Sequence, residues 1–318
     1  MTSGTPRTSA PAREESHFRH PALFYSTEAD YVTGVGRFVR GEANRARPVL
    51  VAVPGERLAL LHRLLGEDHQ NVTWVDMRHG GRNPGRILSM LQEFADRHAD
   101  RFPVIVGEPI WVGRTAAETR EATRHEALIN LAFAGRRATI LCPYDASLPA
   151  DVLRQAHRTH PVVGDAHGYR GSPHYTDPYT VCRDCDVPFA EPGHPVVLRF
   201  GHRSLGDVRD TVSAWGASAG LSAARHTDWL LAVNEATGNS VRHGGGSGTL
   251  RMWRTADAVV VEVSDRGRFV DPLVGRRRPD PLSSNGGRGV WMMHQLCDLV
   301  EIRTQPSGLV VRLHLALV

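Results

Sequence analysis

The sequence predicts an α/β protein of two domains joined by a proline-rich segment, and three observations predict it. Short apolar runs alternate with helical patterns between His20 and Pro161. Residues 161–195 then hold six prolines and no sustained periodicity. Helical and strand patterns resume at Val196. A chain of 318 residues is long enough for two domains of roughly 100–200 residues each.

The N-terminal domain is predicted to contain a parallel sheet. The predicted strands are short apolar runs at residues 48–53, 72–76, 103–106 and 138–142. The predicted helices between them cover residues 57–65, 87–99 and 116–133. Because helical segments of this length separate the strands, we expect parallel crossover connections.

The remaining elements divide the chain into a tail, a linker and a second domain. We expect a disordered tail at residues 1–17, a first domain at 18–163, a linker at 164–195 and a second domain at 196–318. The second domain begins with a strand at Val196, and its predicted helices cover residues 205–219, 223–242 and 290–296. Its further predicted strands cover residues 249–254, 259–265, 300–304 and 309–315.

Composition excludes several classes of nucleotide enzyme. All 38 Lys+Arg residues are arginine. A Walker A loop, a eukaryotic-type protein kinase and a Schiff-base enzyme each need a lysine. If this protein handles a nucleotide, it must use arginine, backbone amides, carboxylates and a metal ion.

The other bulk properties are those of a globular cytoplasmic protein. A hydrophobic content of 41% suffices for a core. No apolar run approaches the length of a membrane span, and four cysteines do not form a disulfide scaffold. Net charge is +4, and the basic excess lies in residues 196–318. That excess suits an anionic ligand or partner but is too small to predict DNA binding.

Three polar groups in the second domain point to one polar cleft. Glu235, Asn239 and His243 are spaced four residues apart and so share one helix face. Asp265 ends a strand, and Gly267 follows where a ligand could approach the backbone. The run 286–289 is Gly-Gly-Arg-Gly and leads into an apolar helix, whose N-terminus offers free N–H groups to phosphate oxygens.

These residues resemble the GHKL ATPase superfamily, and most closely its anti-sigma-factor serine kinases. The matching motifs are Glu235-Ala236-x-x-Asn239-x-x-x-His243, Asp265-x-Gly267 and Gly287-Arg288-Gly289. The resemblance implies a GHKL (Bergerat) α/β sandwich that binds ATP with Mg²⁺. It further implies the following roles: Asn239 coordinates Mg²⁺, Asp265 accepts a hydrogen bond from the adenine amine, Glu235 is the general base, and Arg288 neutralises phosphate charge.

The same resemblance makes residues 268–285 the nucleotide lid. The family often has Gly-Phe at the positions where this sequence has Arg268-Phe269. The lid contains Arg276-Arg277-Arg278, which we interpret as a solvated basic loop rather than a dedicated phosphate or partner contact.

The N-terminal region resembles the MEDS sensory domain, a RecA-like α/β sheet without a working phosphate loop. The matching runs begin at Asn83, Gly107, Arg124 and Leu141. The turn Pro54-Gly55-Glu56-Arg57 has no Walker pattern, in agreement with that resemblance. Five polar residues could line a ligand pocket or form ion pairs at strand ends: Asp76, Arg86, Glu108, Arg114 and Glu126.

Two further patterns have weaker interpretations. Arg124-His125-Glu126 looks like the phosphoacceptor of a histidine kinase, but it is separated from the ATPase-like region by a strand and the linker. Cys182-x-x-Cys185 could be half of a zinc site with His174 or His194, although a structural zinc site usually has two such pairs. We expect reduced surface thiols at both cysteines.

The resemblances together predict a signal-responsive regulator. We expect the protein to bind ATP and Mg²⁺, to sequester a sigma factor, and to phosphorylate a serine of an anti-sigma antagonist. Expected further partners are a small-molecule signal on the first domain and a second copy in a homodimer, with no membrane and no direct DNA contact. The alternatives are an ATP-gated binding module without phosphate transfer and a histidine kinase.

Overall fold

A computed structural model describes residues 17–66, 70–279 and 287–317. Residues 1–16, which carry almost all of the predicted tail, lie outside this part of the chain. The same is true of residues 280–286, which include Gly286 and the end of the predicted lid.

The N-terminal domain is built on seven strands. They are β1 (Pro21–Tyr25), β2 (Val49–Val53), β3 (Val72–Asp76), β4 (Val104–Gly107), β5 (Thr139–Asp145), β6 (Val162–Asp165) and β7 (Gly168–Gly171). They form one sheet in the order β3-β2-β4-β5-β1-β6-β7. Every pairing is parallel except that of β7 with β6, which confirms the predicted parallel α/β architecture.

Helices cover both faces of this sheet. They are α1 (Glu28–Tyr31), α2 (Arg37–Asn44), α3 (Gly55–Leu65), α4 (Met77–Gly80), α5 (Pro84–Arg97), α6 (Ala116–Ala132), α7 (Ala150–Thr159) and α8 (Pro178–Asp184), with a π-helical turn at Val32–Gly36. Successive residues of β2 enter opposite core layers: Val49 and Val51 pack in one layer, Leu50 and Ala52 in the other. A strand buried on both faces reads as a continuous apolar run, which explains why it was recognisable in the sequence.

Side-chain caps define the N-terminal ends of α5 and α6, the two helices that contact the C-terminal domain. Asn83 is the N-cap of α5, and its side chain accepts a hydrogen bond from the Gly85 backbone amide. Pro84 occupies the first turn. Helix α6 starts with a capping box in which Thr115 and Glu118 satisfy each other's backbone amides.

The predicted linker contains regular structure. Residues of β6 and β7 extend the sheet, and α8 packs on α6 with Val181 and Cys182 in the core. Asp177 caps α8, and Pro178 suits its first turn. The longest part of the predicted linker without helix or strand is residues 185–195. Strands β6 and β7 are only four residues long and contain glycine, so they give too little periodicity to be recognised in the sequence.

The C-terminal domain has a five-stranded antiparallel sheet. Its strands are β8 (Val196–Gly201), β9 (Ser247–Arg254), β10 (Ala258–Asp265), β11 (Leu299–Gln305) and β12 (Gly308–Ala316). Its helices are α9 (Leu205–Ser218), α10 (Ala223–His243) and α11 (Arg288–Leu296). The sheet order is β11-β12-β10-β9-β8. Helix packing centres on Trp229, which is fully buried, and confirms the predicted α/β sandwich.

The two domains meet where α5 and α6 approach α11 and β11. Asn83 donates from Nδ2 to the carbonyl oxygens of His294 and Cys297, at 3.0 and 3.1 Å. Arg86 donates to the same two oxygens, at 2.7 and 2.9 Å. The last carbonyls of a helix have no partner within the helix, so the first domain caps the C-terminal end of α11. No helix in the described part of the chain combines the length and the apolar character needed to cross a bilayer.

Candidate functional site

Helix α10 presents one polar face to a cavity of the C-terminal domain. Its apolar side, which includes Trp229, Val233 and Ala236, is buried against the sheet and neighbouring helices. Glu235 and Asn239 lie between the buried side and solvent, with the Glu235 side chain 30% exposed.

Asp265 closes one end of the cavity. One of its carboxylate oxygens accepts a hydrogen bond from the Ser240 hydroxyl at 2.5 Å, and the other accepts one from the Gly267 amide at 2.7 Å. A Cβ at Gly244 would lie 2.3 Å from the Asp265 carboxyl carbon. Glycine at that position therefore makes room for the carboxylate, and the two hydrogen bonds fix its orientation.

The start of α11 lies directly against the polar face of α10. Gly287 precedes the helix with φ of 93°, in the left-handed region that favours glycine. A Cβ at Gly289 would lie 2.4 Å from Glu235 Oε2 and 3.0 Å from Asn239 Nδ2. Only glycine lets the first turn of α11, with its free N–H groups, approach these two side chains so closely.

The cavity between these elements measures about 380 Å³. Val290 and Met293 of α11 and Ile302 and Val311 of the sheet supply apolar walls, and Asp265 supplies a carboxylate acceptor. Apolar walls with one directed acceptor suit a heteroaromatic base that carries an exocyclic amine.

The structure brings most of the predicted site residues together. The cavity is lined by Asn239, His243, Asp265, Gly267, Gly287 and Gly289. Glu235 adjoins it through Gly289. Arg288 is exposed at the first position of α11.

Arg242 is a neighbour that the motif analysis missed. Its guanidinium donates to Asn239 Oδ1 at 3.0 Å and lies 3.9 Å from Glu235 Oε2. The sequence spacing could have revealed it. Arg242 lies three residues after Asn239 and seven after Glu235, so the three side chains share one helix face. Arg242 contacts the oxygen that the resemblance assigns to Mg²⁺, so metal binding there would displace this arginine.

The segment that follows Asp265 is attached to the first domain. Val274 lines the cavity, while Leu273 joins the hydrophobic core of the N-terminal domain. Arg276 is 4% exposed, so its interpretation as part of a solvated basic loop is wrong. Arg277 and Arg278 are exposed, as that interpretation predicts.

Arg276 is buried because it joins an ion cluster between the domains. Glu121 of α6 accepts hydrogen bonds of 2.6 Å from Arg276 and from Arg303. Burial opposes the ionisation of Glu121, but Arg124, Arg303 and Arg276 outweigh it and lower the Glu121 pKa to about 2. The carboxylate is therefore charged at neutral pH and holds the segment after β10 to the first domain.

The five polar residues singled out in the first domain do not share a pocket. Asp76 caps α4, Arg86 contacts α11, and Arg114 lies over the Trp111 ring. Glu108 is buried under the hydroxyl groups of Tyr25 and Tyr31, and burial raises its pKa to about 7. Glu126 lies in a separate buried cluster with histidines.

The two weaker patterns have clear positions in the structure. Cys182 and Cys185 are buried thiols of the first domain's core, so the expectation of surface thiols is wrong. Within the described residues they do not belong to any cluster of three or more candidate metal ligands. His125 is 1% exposed, which leaves it inaccessible to a nucleotide phosphate.

Comparisons with known families agree with both resemblances. Residues 19–161 match the family model described as MEDS, the methanogen/methylotroph DcmR sensory domain. Residues 201–315 match the family model described as the histidine kinase-like ATPase domain. A search of curated proteins found no match. The two matches support an ATP-binding regulatory protein in which a sensory domain is joined to a GHKL-type ATPase domain.

Proposed function

We propose that this protein is a signal-responsive anti-sigma regulator that binds ATP and Mg²⁺, sequesters a sigma factor, and transfers the γ-phosphate to a serine of an anti-sigma antagonist. The observation that carries the proposal is the contact of Gly289 with Glu235 and Asn239 beside the cavity closed by Asp265. It brings a carboxylate, an amide and a helix N-terminus together where a triphosphate would end.

The cavity supports nucleotide binding by three kinds of contact. Asp265 would accept the adenine amine, and the apolar walls would hold the ring. Amides at the start of α11 would face the phosphates, to which Arg288 adds positive charge. Bound Mg²⁺ neutralises phosphate charge, and the Asn239 carboxamide oxygen is the ligand this chain offers it.

Glu235 is the residue that would receive the proton of the substrate serine. Its side chain is partly exposed, so a protein substrate can reach it, and it lies against the first turn of α11. Arg242 contacts Asn239 and approaches Glu235 in this structure. Nucleotide binding would therefore exchange an internal cation for Mg²⁺ at Asn239.

The partners follow from the resemblance to anti-sigma kinases. A sigma factor and an anti-sigma antagonist are the proposed protein partners, and a homodimer is the proposed assembly. The first domain would receive a small-molecule signal. Its contacts with α11 and with Arg276 supply a physical connection between that signal and the nucleotide site.

Nucleotide binding is tested first, by titration calorimetry with ATP and Mg²⁺. Asp265→Asn should weaken ATP binding at least tenfold, because an amide presents a donor to the adenine amine. Asp210→Asn is the matched control, since Asp210 is an exposed carboxylate on α9. Equal affinities for Asp265→Asn and the wild type would contradict the binding site.

Phosphate transfer is tested with partners retained on the immobilised protein with and without ATP. Single-turnover incubation with γ-labelled ATP should place acid-stable label on a serine of one retained protein. Glu235→Ala should abolish that label and leave ATP affinity unchanged, and Asn239→Ala should weaken both, whereas Asn234→Ala on the same helix should do neither. ATP-dependent retention without any label would favour the gated binding module instead. Acid-labile label on the chain itself would favour a histidine kinase, which the burial of His125 disfavours.

A further inference from the structure

Four buried side chains of the first domain converge on one point, and none of them lines the cavity beside α10. His20, Glu126, Cys142 and His160 are each at most 3% exposed. One ligand atom of each lies within 4.8 Å of those of the others. His20 directly precedes β1, and β1 pairs with β5, where Cys142 lies. Glu126 lies on α6, and His160 directly follows α7.

Four of the six distances between the donor atoms are close to those of a tetrahedral metal site. Glu126 Oε2 lies 3.1 Å from His20 Nε2 and 3.2 Å from His160 Nε2. Cys142 Sγ lies 3.4 Å from both His20 Nε2 and Glu126 Oε2. Zinc bonds of about 2.0–2.3 Å at tetrahedral angles place neighbouring donors roughly 3.3–3.6 Å apart. All four atoms lie within 4.8 Å of one another, so side-chain shifts of about 1 Å would let them surround one ion.

Neighbouring groups aim both imidazoles at this point. His20 Nδ1 lies 3.1 Å from Asn130 Oδ1, and the Asn130 amide nitrogen donates to the Thr159 carbonyl at 2.8 Å. His160 Nδ1 lies 2.9 Å from the Ala156 carbonyl oxygen. Because each Nδ1 faces an acceptor, each must carry the proton, which leaves the Nε2 lone pairs directed at the cluster. Metal-binding histidines in proteins are oriented by such hydrogen bonds.

The cluster has more acceptors than donors. Glu126 Oε1 and His160 Nε2 are buried without a hydrogen-bond partner. A buried polar atom without a hydrogen-bond partner lowers the stability of the fold. A divalent cation would satisfy the converging lone pairs, and with the Glu126 carboxylate and a Cys142 thiolate the charges would sum to zero.

We propose that His20, Glu126, Cys142 and His160 form a binding site for a divalent transition metal, with Zn²⁺ as the ion that the ligand set favours. Two imidazoles, a thiolate and a carboxylate suit zinc. The set does not suit Mg²⁺ or Ca²⁺, because these ions prefer oxygen ligands. All four positions come from the protein, so the site holds the ion without an open position for substrate water. Binding releases the thiol proton of Cys142 to solvent.

The experiment uses the full chain, purified without a histidine tag or a chelator. Elemental analysis should find about one zinc ion per chain. Replacement of the zinc by Co²⁺ should give the visible bands of tetrahedral cobalt together with a thiolate-to-cobalt charge-transfer band. Absence of both bound zinc and cobalt uptake in folded protein would overturn the proposal, as would a cobalt spectrum without the thiolate band.

Variants assign the site to these residues. Cys142→Ser should remove the charge-transfer band, whereas Cys297→Ser, which changes another buried thiol, should retain it. Asn130→Ala keeps all four ligands but frees the His20 ring, so Zn²⁺ affinity should fall about 10- to 100-fold. Circular dichroism establishes that each variant is folded. A Cys142→Ser variant that is folded and keeps the band would overturn the assignment.

Discussion

Arg276, in the segment after β10, donates a 2.6 Å hydrogen bond to the Glu121 carboxylate of the first domain. The two residues are 155 positions apart in the sequence, and both are buried. Val274, two residues before Arg276, lines the cavity beside α10 that we propose to bind the nucleotide. The first domain therefore holds part of the cavity wall in place through this ion pair, together with the packing of Leu273 in its core.

Loss of this ion pair should weaken nucleotide binding. In Arg276→Gln the segment that carries Val274 loses its charged anchor, so we expect ATP affinity to fall roughly three- to tenfold, or about 1 kcal/mol. Arg277→Gln is the matched control, because Arg277 is the exposed neighbour on the same segment. Titration calorimetry compares the two variants. If the two variants bind ATP with the same affinity, the ion pair does not contribute to nucleotide binding.

Acid should remove the contribution of Glu121 to stability. Its pKa is about 2 in the folded protein and about 4.3 in an unfolded chain. A carboxyl group with a lowered folded pKa stabilises the fold above its unfolded pKa, and this stabilisation is lost as pH falls toward the folded pKa. We expect a contribution of about 3 kcal/mol at pH 7 that declines below about pH 4.5.

Denaturant unfolding from pH 7 to pH 3 measures this effect against Glu121→Gln. The variant should be less stable by about 3–5 kcal/mol at pH 7, because it leaves buried arginine charge uncompensated. The difference from the wild type should shrink below about pH 4.5. A difference that stays constant down to pH 3 would show that the carboxylate charge is not what stabilises the interface.

Gly289 should be indispensable for activity although it lies in a helix. Alanine there would bring Cβ to 2.4 Å from Glu235 Oε2, which must displace either that side chain or the first turn of α11. We expect Gly289→Ala to lower ATP turnover or phosphate transfer at least tenfold. Gly206→Ala is the control, since a Cβ there meets no atom within 4 Å. If Gly289→Ala has unchanged kinetics, activity does not depend on the close approach of Gly289 to Glu235.

The grouping of the predicted site residues around one cavity could be predicted from the sequence because the signals for it are local. Glu235 and Asn239 lie on one helix face by spacing alone, and Gly287 and Gly289 directly precede or begin a helix. Each pattern depends on residues a few positions apart, and the structure only had to bring three such patterns together.

The interface and the histidine cluster could not be predicted from periodicity. Arg276 lies in a run of three arginines that looks solvated, and nothing nearby in the sequence reveals Glu121. His20 and Cys142 become neighbours only through the pairing of β1 with β5. Residues 162–171 were missed because short strands with glycine give too little pattern. In each case the determining contact joins distant parts of the chain.

Gly85 should be the position at which the domain contact is most sensitive to a single methyl group. It lies in the first turn of α5, and a Cβ there would stand 1.9 Å from His294 Nδ1. The His294 ring is fully buried, so it has no room to move away. Gly85→Ala should therefore separate α5 from the end of α11, at a cost of about 1–3 kcal/mol.

Small-angle scattering and limited proteolysis test this separation. We expect Gly85→Ala to increase the radius of gyration and to expose the 186–195 segment to protease, because the Asn83 and Arg86 contacts to α11 are lost together. Gly107→Ala, at a buried position with open space around its Cβ, should leave both unchanged. If Gly85→Ala has the radius of gyration and the protease sensitivity of the wild type, the capping of α11 does not hold the domains together. If the domains separate, the nucleotide affinity of this variant should match that of Arg276→Gln, since both variants release the same cavity wall from the sensory domain.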